Sequence, residues 1–255
     1  LPPKADILRV VAKRPLLTLN GHLISCKGVP IWVVMMPDNR RDMVLQKAET
    51  ANAFIIEDDY EVGLLGHVVP SPALKSRDRN GTVIYVGSLS KTLSPSIRMG
   101  FIVAHRDIID SARIIRSLTV RHPPSIVQET TAMFLAHGYH VVHLNKLRKI
   151  YSQRWHIMRA GLKKHLPMFL PVHATGGTSF WLSGPLDFDA QKFAQCLQNR
   201  SVLIEPGHIF YHNGRPRNYF RIGFPSVATD KIIQGLRLIG EEARMFLNSS
   251  MSGAK

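Results

Sequence analysis

The chain has 255 residues, 45% apolar and 20% charged, the balance of a soluble globular protein with core enough for one large domain or two modest ones. No apolar run approaches the roughly 18 residues of a membrane span, and its two cysteines, Cys26 and Cys196, lack metal-site spacing and point to a reducing, cytoplasmic setting. The net charge of +15 favours acidic partners or phosphate groups, but the basic residues are scattered over 40–41, 146–154 and 215–221 without interleaved aromatics, which argues against direct DNA contact by this chain.

The N-terminus, Leu1-Pro2-Pro3-Lys4-Ala5-Asp6, has no secretory pattern and does not begin with methionine, so the chain is expected to be a fragment. Residues 1–29 are weakly patterned. Residues 30–36 then form a continuous apolar run, ended by Pro37-Asp38-Asn39, which predicts a buried parallel strand and a loop. Residues 40–51 predict a helix with Met43, Val44, Leu45 and Ala48 in phase. Residues 53–56 predict a second buried strand, with Glu57-Asp58-Asp59-Tyr60 at its carboxyl end. After a loop rich in Gly, Pro and Ser, residues 82–87 and 100–104 predict two more strands. This alternation argues for an α/β domain, whose ligands gather where parallel strands end.

Residues 108–120 predict a helix that Arg121-His122-Pro123-Pro124 stops, and Ser125 opens another to about His137. A long helix over 140–166 carries Leu144, Leu147, Ile150, Tyr151, Trp155, Met158 and Leu162. From Pro171 onward the pattern changes to short strands at 176–182, 202–204 and 219–224, a helix over 189–198 and a closing helix over 229–247. The expected division is a partial large α/β domain over 1–140, and a bridging helix with a smaller C-terminal α+β domain over 141–255.

One stretch carries the chemistry: Ser88-Leu89-Ser90-Lys91-Thr92-Leu93-Ser94-Pro95-Ser96-Ile97-Arg98-Met99-Gly100. Its lysine supplies an amine for a Schiff base, and the carboxylate of Asp58 can keep a pyridine nitrogen protonated. Two hydroxyls and a guanidinium suit a phosphate. Together they read as a pyridoxal-phosphate site. Plainer roles stand beside these: Asp58 and Asp59 as turn or cap residues, Ser88, Ser90 and Ser94 as caps of a helix opening near Thr92, and Arg221 as an outward strand residue. His137, His140 and His143 are spaced by three, but no carboxylate or fourth ligand completes a metal set, and none is expected.

Five ordered motifs carry a family resemblance: Glu57-Asp58-Asp59-Tyr60, the lysine stretch ending at Gly100, Gly176-Gly177 with Trp181, Pro206-Gly207 with Phe210, and Arg221-Ile222-Gly223-Phe224. In this the chain resembles the fold-type I aminotransferases, and most of all the aminotransferase-like domain of MocR-type GntR regulators. The resemblance implies an α/β fold of the PLP-dependent transferase type, with an incomplete large mixed or parallel-sheet domain and a smaller C-terminal α+β domain. It implies pyridoxal 5'-phosphate as cofactor, carried by Lys91 as the catalytic residue, with Asp58 on the pyridine nitrogen and Tyr60 on the phenolic oxygen. Ser88, Ser90 and Arg98 would hold the phosphate, and Arg221 the α-carboxylate of an amino acid or amine effector. The implied function is an effector domain that binds an amino compound as an external aldimine and shifts domain closure. DNA would be contacted through a winged-helix domain ahead of this chain, and the resemblance implies a homodimer. The alternatives are a genuine aminotransferase, in which Lys91 moves a proton during exchange with a 2-oxo acid, and an inactive remnant.

Departures from the family pattern stand beside the matches. Residues 1–29 show neither the glycine-rich phosphate loop nor the ring-stacking aromatic. The loop with the P-T-G segment is shortened to Pro37-Asp38-Asn39, leaving Asn39 as the stand-in for a ring partner, and residues 61–66 lack the usual charged and aromatic pattern. An incomplete parallel sheet is expected to leave an exposed edge strand.

Overall fold

In the first half of the chain, short apolar runs end in polar turns, and four of them among the described residues are strands of one sheet. A computed structural model describes residues 16–20, 36, 38–59, 64, 72–171, 178–210 and 216–252. Strands β1 (Leu16–Asn20), β2 (Phe54–Asp59), β3 (Val83–Ser88) and β4 (Gly100–Val103) lie in that order. The first three are parallel and β4 runs antiparallel to β3. Strand β1 falls within the stretch that looked weakly patterned; its Leu-Leu-Thr-Leu-Asn is too short to show a period on its own, and pairing with β2 defines it. The expected strand over 30–36 lies outside the described residues, apart from Met36, which is irregular.

Helix α1 (Asp38–Thr50) begins two residues before its expected start and buries Leu45 and Ala48, while Met43 stays exposed. It ends because Asn52 takes a left-handed conformation, φ 50°, and the Ala53 N–H turns back to the Ala48 carbonyl at 2.8 Å. Asn tolerates that geometry better than most residues, which is why it terminates helices. Leu45, Ala48, Ile55, Leu74 and Val83 form the small core beside the sheet. Helices α2 (Arg106–Thr119) and α3 (Ser125–Ala136) follow, parted by the prolines that block helix continuation.

Helix α4 (Tyr139–His165) carries the chain from the first structural unit, which ends at residue 147, into the second, from 148. In the second unit β5 (Leu170–Pro171), β6 (Ser179–Ser183), β7 (Glu205–Pro206) and β8 (Tyr219–Gly223) make an antiparallel sheet in the order β5-β6-β8-β7. Residues 202–204, expected as a strand, are irregular, and pairing with β8 begins only at Glu205. Helix α5 (Ala190–Gln198) starts where Asp189 accepts the Gln191 and Lys192 N–H groups at 3.0 and 3.1 Å, as an aspartate N-cap does. The last helix, α6 (Thr229–Ser252), points Ile232, Leu236, Ile239 and Ala243 inward at helical spacing. These meet Trp155, Met158 and Leu162 of α4 and the ring cluster Phe169, Phe188, Phe193 and Phe220.

Candidate functional site

The parallel strands β2 and β3 end side by side, and their pleat sorts the carboxylates. Asp58 is in register with Val86 and Asp59 with Gly87. Successive strand residues face opposite ways, so Asp58 shares one face with Val86 and Ser88, while Glu57 and Asp59 share the other with Tyr85. On that second face the Tyr85 hydroxyl donates to Asp59 at 3.2 Å, and burial together with the Asp59 charge pushes the phenol far above its usual value. Glu57 is buried, and its two oxygens accept the N–H groups of Leu74 and Lys75 at 2.7 and 2.9 Å. Burial raises its carboxyl, against the lowering effect of those two hydrogen bonds. Asp58 is half-buried, and burial pushes its carboxyl up as well. A cationic partner on that face would reverse the shift.

From the end of β3 the chain makes one closed loop to β4. The Leu89 N–H donates to the Met99 carbonyl at 3.0 Å, and the Leu93 N–H to the Leu89 carbonyl at 2.8 Å. Within the loop Ser88 Oγ accepts the Ser90 N–H at 3.3 Å, and the Thr92 hydroxyl donates to the Leu89 carbonyl at 3.4 Å. Residues 90–93 are turn rather than the opening of a helix; Ser94 instead caps a single 3-10 turn, Pro95–Ile97, by accepting the Ser96 N–H. Lys91 is exposed in this turn. Arg98 follows the 3-10 turn in a left-handed conformation, φ 47° and ψ 39°, with its side chain exposed. Gly100 closes the loop because a Cβ there would stand 2.7 Å from the Gly87 carbonyl oxygen. Lys91, Ser88, Ser90 and Arg98 are therefore held on one loop, and Ser88 shares a sheet face with Asp58. Tyr60, Gly176 and Gly177 lie outside the described residues.

Arg221 sits at the middle of β8 in the second unit, in register with Trp181 on one side and Glu205 on the other. Its guanidinium grips the Glu205 carboxylate by two bonds, from Nε to Oε2 and from one terminal nitrogen to Oε1 at 2.8 Å. The Phe210 ring lies against the guanidinium, 5.0 Å from its carbon. The Pro206-Gly207 turn makes this possible: Gly207 passes so close to β8 that a Cβ would stand 2.6 Å from the Tyr219 carbonyl oxygen.

The other sequence candidates separate into distinct roles. His137 Nδ1 lies 2.7 Å from the Met133 carbonyl oxygen, His143 packs against Phe134, and burial with the neighbouring His143 lowers the His140 ring. No group of three metal-ligating side chains occurs among the described residues. Asn39 is exposed in the first turn of α1. Sequence reasoning did not single out Glu57 as an anchor, Tyr85 as the partner of Asp59, or Glu205 as the partner of Arg221. The available signals were a glutamate at an inward position of an apolar strand and an acidic residue directly before Pro206-Gly207.

The family profile for "Aminotransferase class I and II" matches residues 37–239. The HTH-type transcriptional regulator TauR of Rhodobacter capsulatus is 33% identical over 210 residues, which are 82% of this chain and 43% of TauR. The probable rhizopine catabolism regulatory protein MocR of Rhizobium meliloti is 34% identical over 148 residues, 58% of this chain and 30% of MocR. The chain thus spans less than half the length of these two regulators. Pyrococcus horikoshii kynurenine aminotransferase, crystallised in complex with PMP, KYN and KYA, superposes with a TM-score of 0.79 at 28% identity, covering 84% of this chain and 54% of that one. The profile match, the regulator relatives and this superposition agree with the strand-end loop and the Arg221 strand: the chain belongs to the class I and II aminotransferase family and has the α/β fold of the type I PLP-dependent transferases, with part of the large domain and the smaller α+β domain.

Proposed function

We propose that this chain is the pyridoxal-phosphate-binding effector domain of an HTH-type regulator of the MocR kind, which senses an amino acid or amine. The observation that carries the reading is the shared face of Asp58 and Ser88 beside the closed loop holding Ser90, Lys91 and Arg98, in a chain 33% identical to TauR over 210 residues. The residues fit the cofactor. Asp58, a half-buried carboxyl at a strand end, suits a protonated pyridine nitrogen, whose charge would offset the burial that pushes the carboxyl up. Two hydroxyls and a guanidinium on one loop suit a phosphate dianion. Tyr60 is proposed for the phenolic oxygen.

When bound, pyridoxal phosphate supplies a carbonyl for amines and an electron-accepting ring. The chain's own residues then have separable tasks. Asp58 would keep a proton on the ring nitrogen, Ser88, Ser90 and Arg98 would hold the phosphate, and Lys91 Nζ would be the amine that holds the cofactor's carbonyl carbon. Arg221 takes that compound's carboxylate by two parallel hydrogen bonds. A ligand shifts such a domain only through different affinity for two conformations. In the intact protein, DNA is contacted by a winged-helix domain outside this chain, a reading supported by the match to HTH-type regulators of greater length; a cytoplasmic homodimer is part of the same proposal.

The test is a visible absorbance titration with pyridoxal phosphate, followed by borohydride reduction and peptide mass mapping. The label is expected on Lys91 and lost in Lys91→Ala. A label on another lysine, or one kept in Lys91→Ala, overturns the site. Steady transfer of amino groups to a 2-oxo acid would replace the effector reading with that of an aminotransferase.

A further inference from the structure

We infer that Glu205 is a built-in competitor for carboxylate ligands at Arg221, and that it biases the site toward amines lacking an α-carboxylate. The inference rests on the reading of Arg221 as the carboxylate receptor. An arginine fork offers its planar two-donor edge to one carboxylate at a time. In this chain that edge is taken by Glu205, through Nε and a terminal nitrogen, the bidentate geometry that a ligand carboxylate would need. The occupant is not an accident of a floppy side chain. Glu205 and Arg221 are paired residues of adjacent antiparallel strands, and Phe210 fixes the guanidinium from its ring face.

The pair is also poised to exchange. The Arg221 side chain is 28% exposed and that of Glu205 46%, so Glu205 can swing to water without leaving a buried, unpaired charge. A ligand carboxylate must displace a chemically equivalent group already covalently attached to the protein. Its apparent affinity is lowered by the fraction of time the fork is free. An amine without a carboxylate meets no such competition. Glu205 therefore acts through Arg221, as a specificity-determining residue.

The test compares L-alanine with ethylamine, the amine that lacks its carboxylate, on the cofactor-loaded chain, and reads dissociation constants from absorbance. Glu205→Gln is expected to tighten alanine on the order of tenfold and to leave ethylamine unchanged. A second readout needs no cofactor: in the 15N-arginine-labelled chain, the Arg221 Nε–H resonance, assigned by its absence in Arg221→Lys, is followed during titration with acetate. It is expected to respond at lower acetate concentration in Glu205→Gln than in the wild type. If alanine and acetate bind Glu205→Gln no better than wild type while Arg221→Lys still weakens alanine, the competitor role is overturned and the Arg221 reading stands. If Arg221→Lys leaves alanine affinity unchanged in the Glu205→Gln background, the Arg221 reading itself falls, and the inference with it.

Discussion

Single carboxylates in the Glu57-Asp58-Asp59 run do three different things because the pleat and burial treat them differently. Glu57 clamps two backbone N–H groups, Asp59 accepts from Tyr85, and Asp58 is on the Ser88 face. Glu57→Gln replaces one acceptor by a donor facing an N–H and is expected to destabilise the chain by about 1–3 kcal/mol, measured by urea unfolding. Burial raises the Glu57 carboxyl above 4.5, so the folded chain holds that proton more tightly than the unfolded chain. The stability this provides is complete below 4.5 and is lost as pH rises through the raised value. The gap between wild type and Glu57→Gln should therefore narrow from pH 4.5 upward, and a gap that widens contradicts this assignment. Arg98 is the second residue with a conformational signature. Because glycine relieves its left-handed backbone but adds freedom to the unfolded chain, Arg98→Gly should change stability by no more than about 1 kcal/mol. Its affinity for pyridoxal phosphate should nonetheless fall clearly in an absorbance titration, separating phosphate binding from folding.

Two element-level devices position Arg98 and Arg221, and each depends on a close backbone approach. The Pro206-Gly207 turn lets the 3-10 segment Gly207–Phe210 lie on β8 and bring Phe210 to Arg221. Gly207→Ala puts a methyl group 2.6 Å from a backbone oxygen, which must push β7 and the turn away from β8. The expected cost is about 1–3 kcal/mol, with lowered near-ultraviolet circular dichroism from the Trp181, Tyr219 and Phe210 ring contacts. Retained stability and an unchanged aromatic spectrum would contradict the packing argument. Gly100 plays the same part between β3 and β4. The closing glycines of these two motifs are steric requirements of strand contact, whereas the polar residues between them belong to the proposed chemistry.

Across the whole molecule the two units differ in how much they bury. Aromatic and aliphatic side chains of the second unit form one extensive core, while the first has a small cluster around Ile55 and Val83. All four residues of β4 are exposed, and Ile114, Leu118, Ile126 and Met133 of α2 and α3 face solvent at 54% or more. Large exposed apolar area marks a surface that binds something or aggregates. The chain by itself should bind the dye ANS and associate with rising concentration in sedimentation velocity; a monomer without ANS fluorescence would contradict this. Native-state hydrogen exchange should find the slowest amides in β6, β8 and α6, and fast exchange in β4, because local opening is easier where few apolar contacts are lost.

Periodicity and turn chemistry made α1, α2, α3, the long α4, α5 and α6 legible within a few residues, since each carries its own apolar face, cap or proline stop. The lysine loop was legible because its spacing is a local property of the chain. Strand β1 was not, because five residues reveal no pattern until a partner strand is beside them. Nor did the sequence distinguish three adjacent carboxylates by role, which required the β2–β3 register, the buried Leu74–Lys75 N–H groups and the Tyr85 hydroxyl. The order of residue types alone establishes which groups are available for the chemistry: an amine, carboxylates, hydroxyls and two arginines. That Arg221 already holds Glu205 emerges only in the fold, because a pairing between residues on neighbouring strands is set by sheet register, and register is a property of two chain segments rather than one.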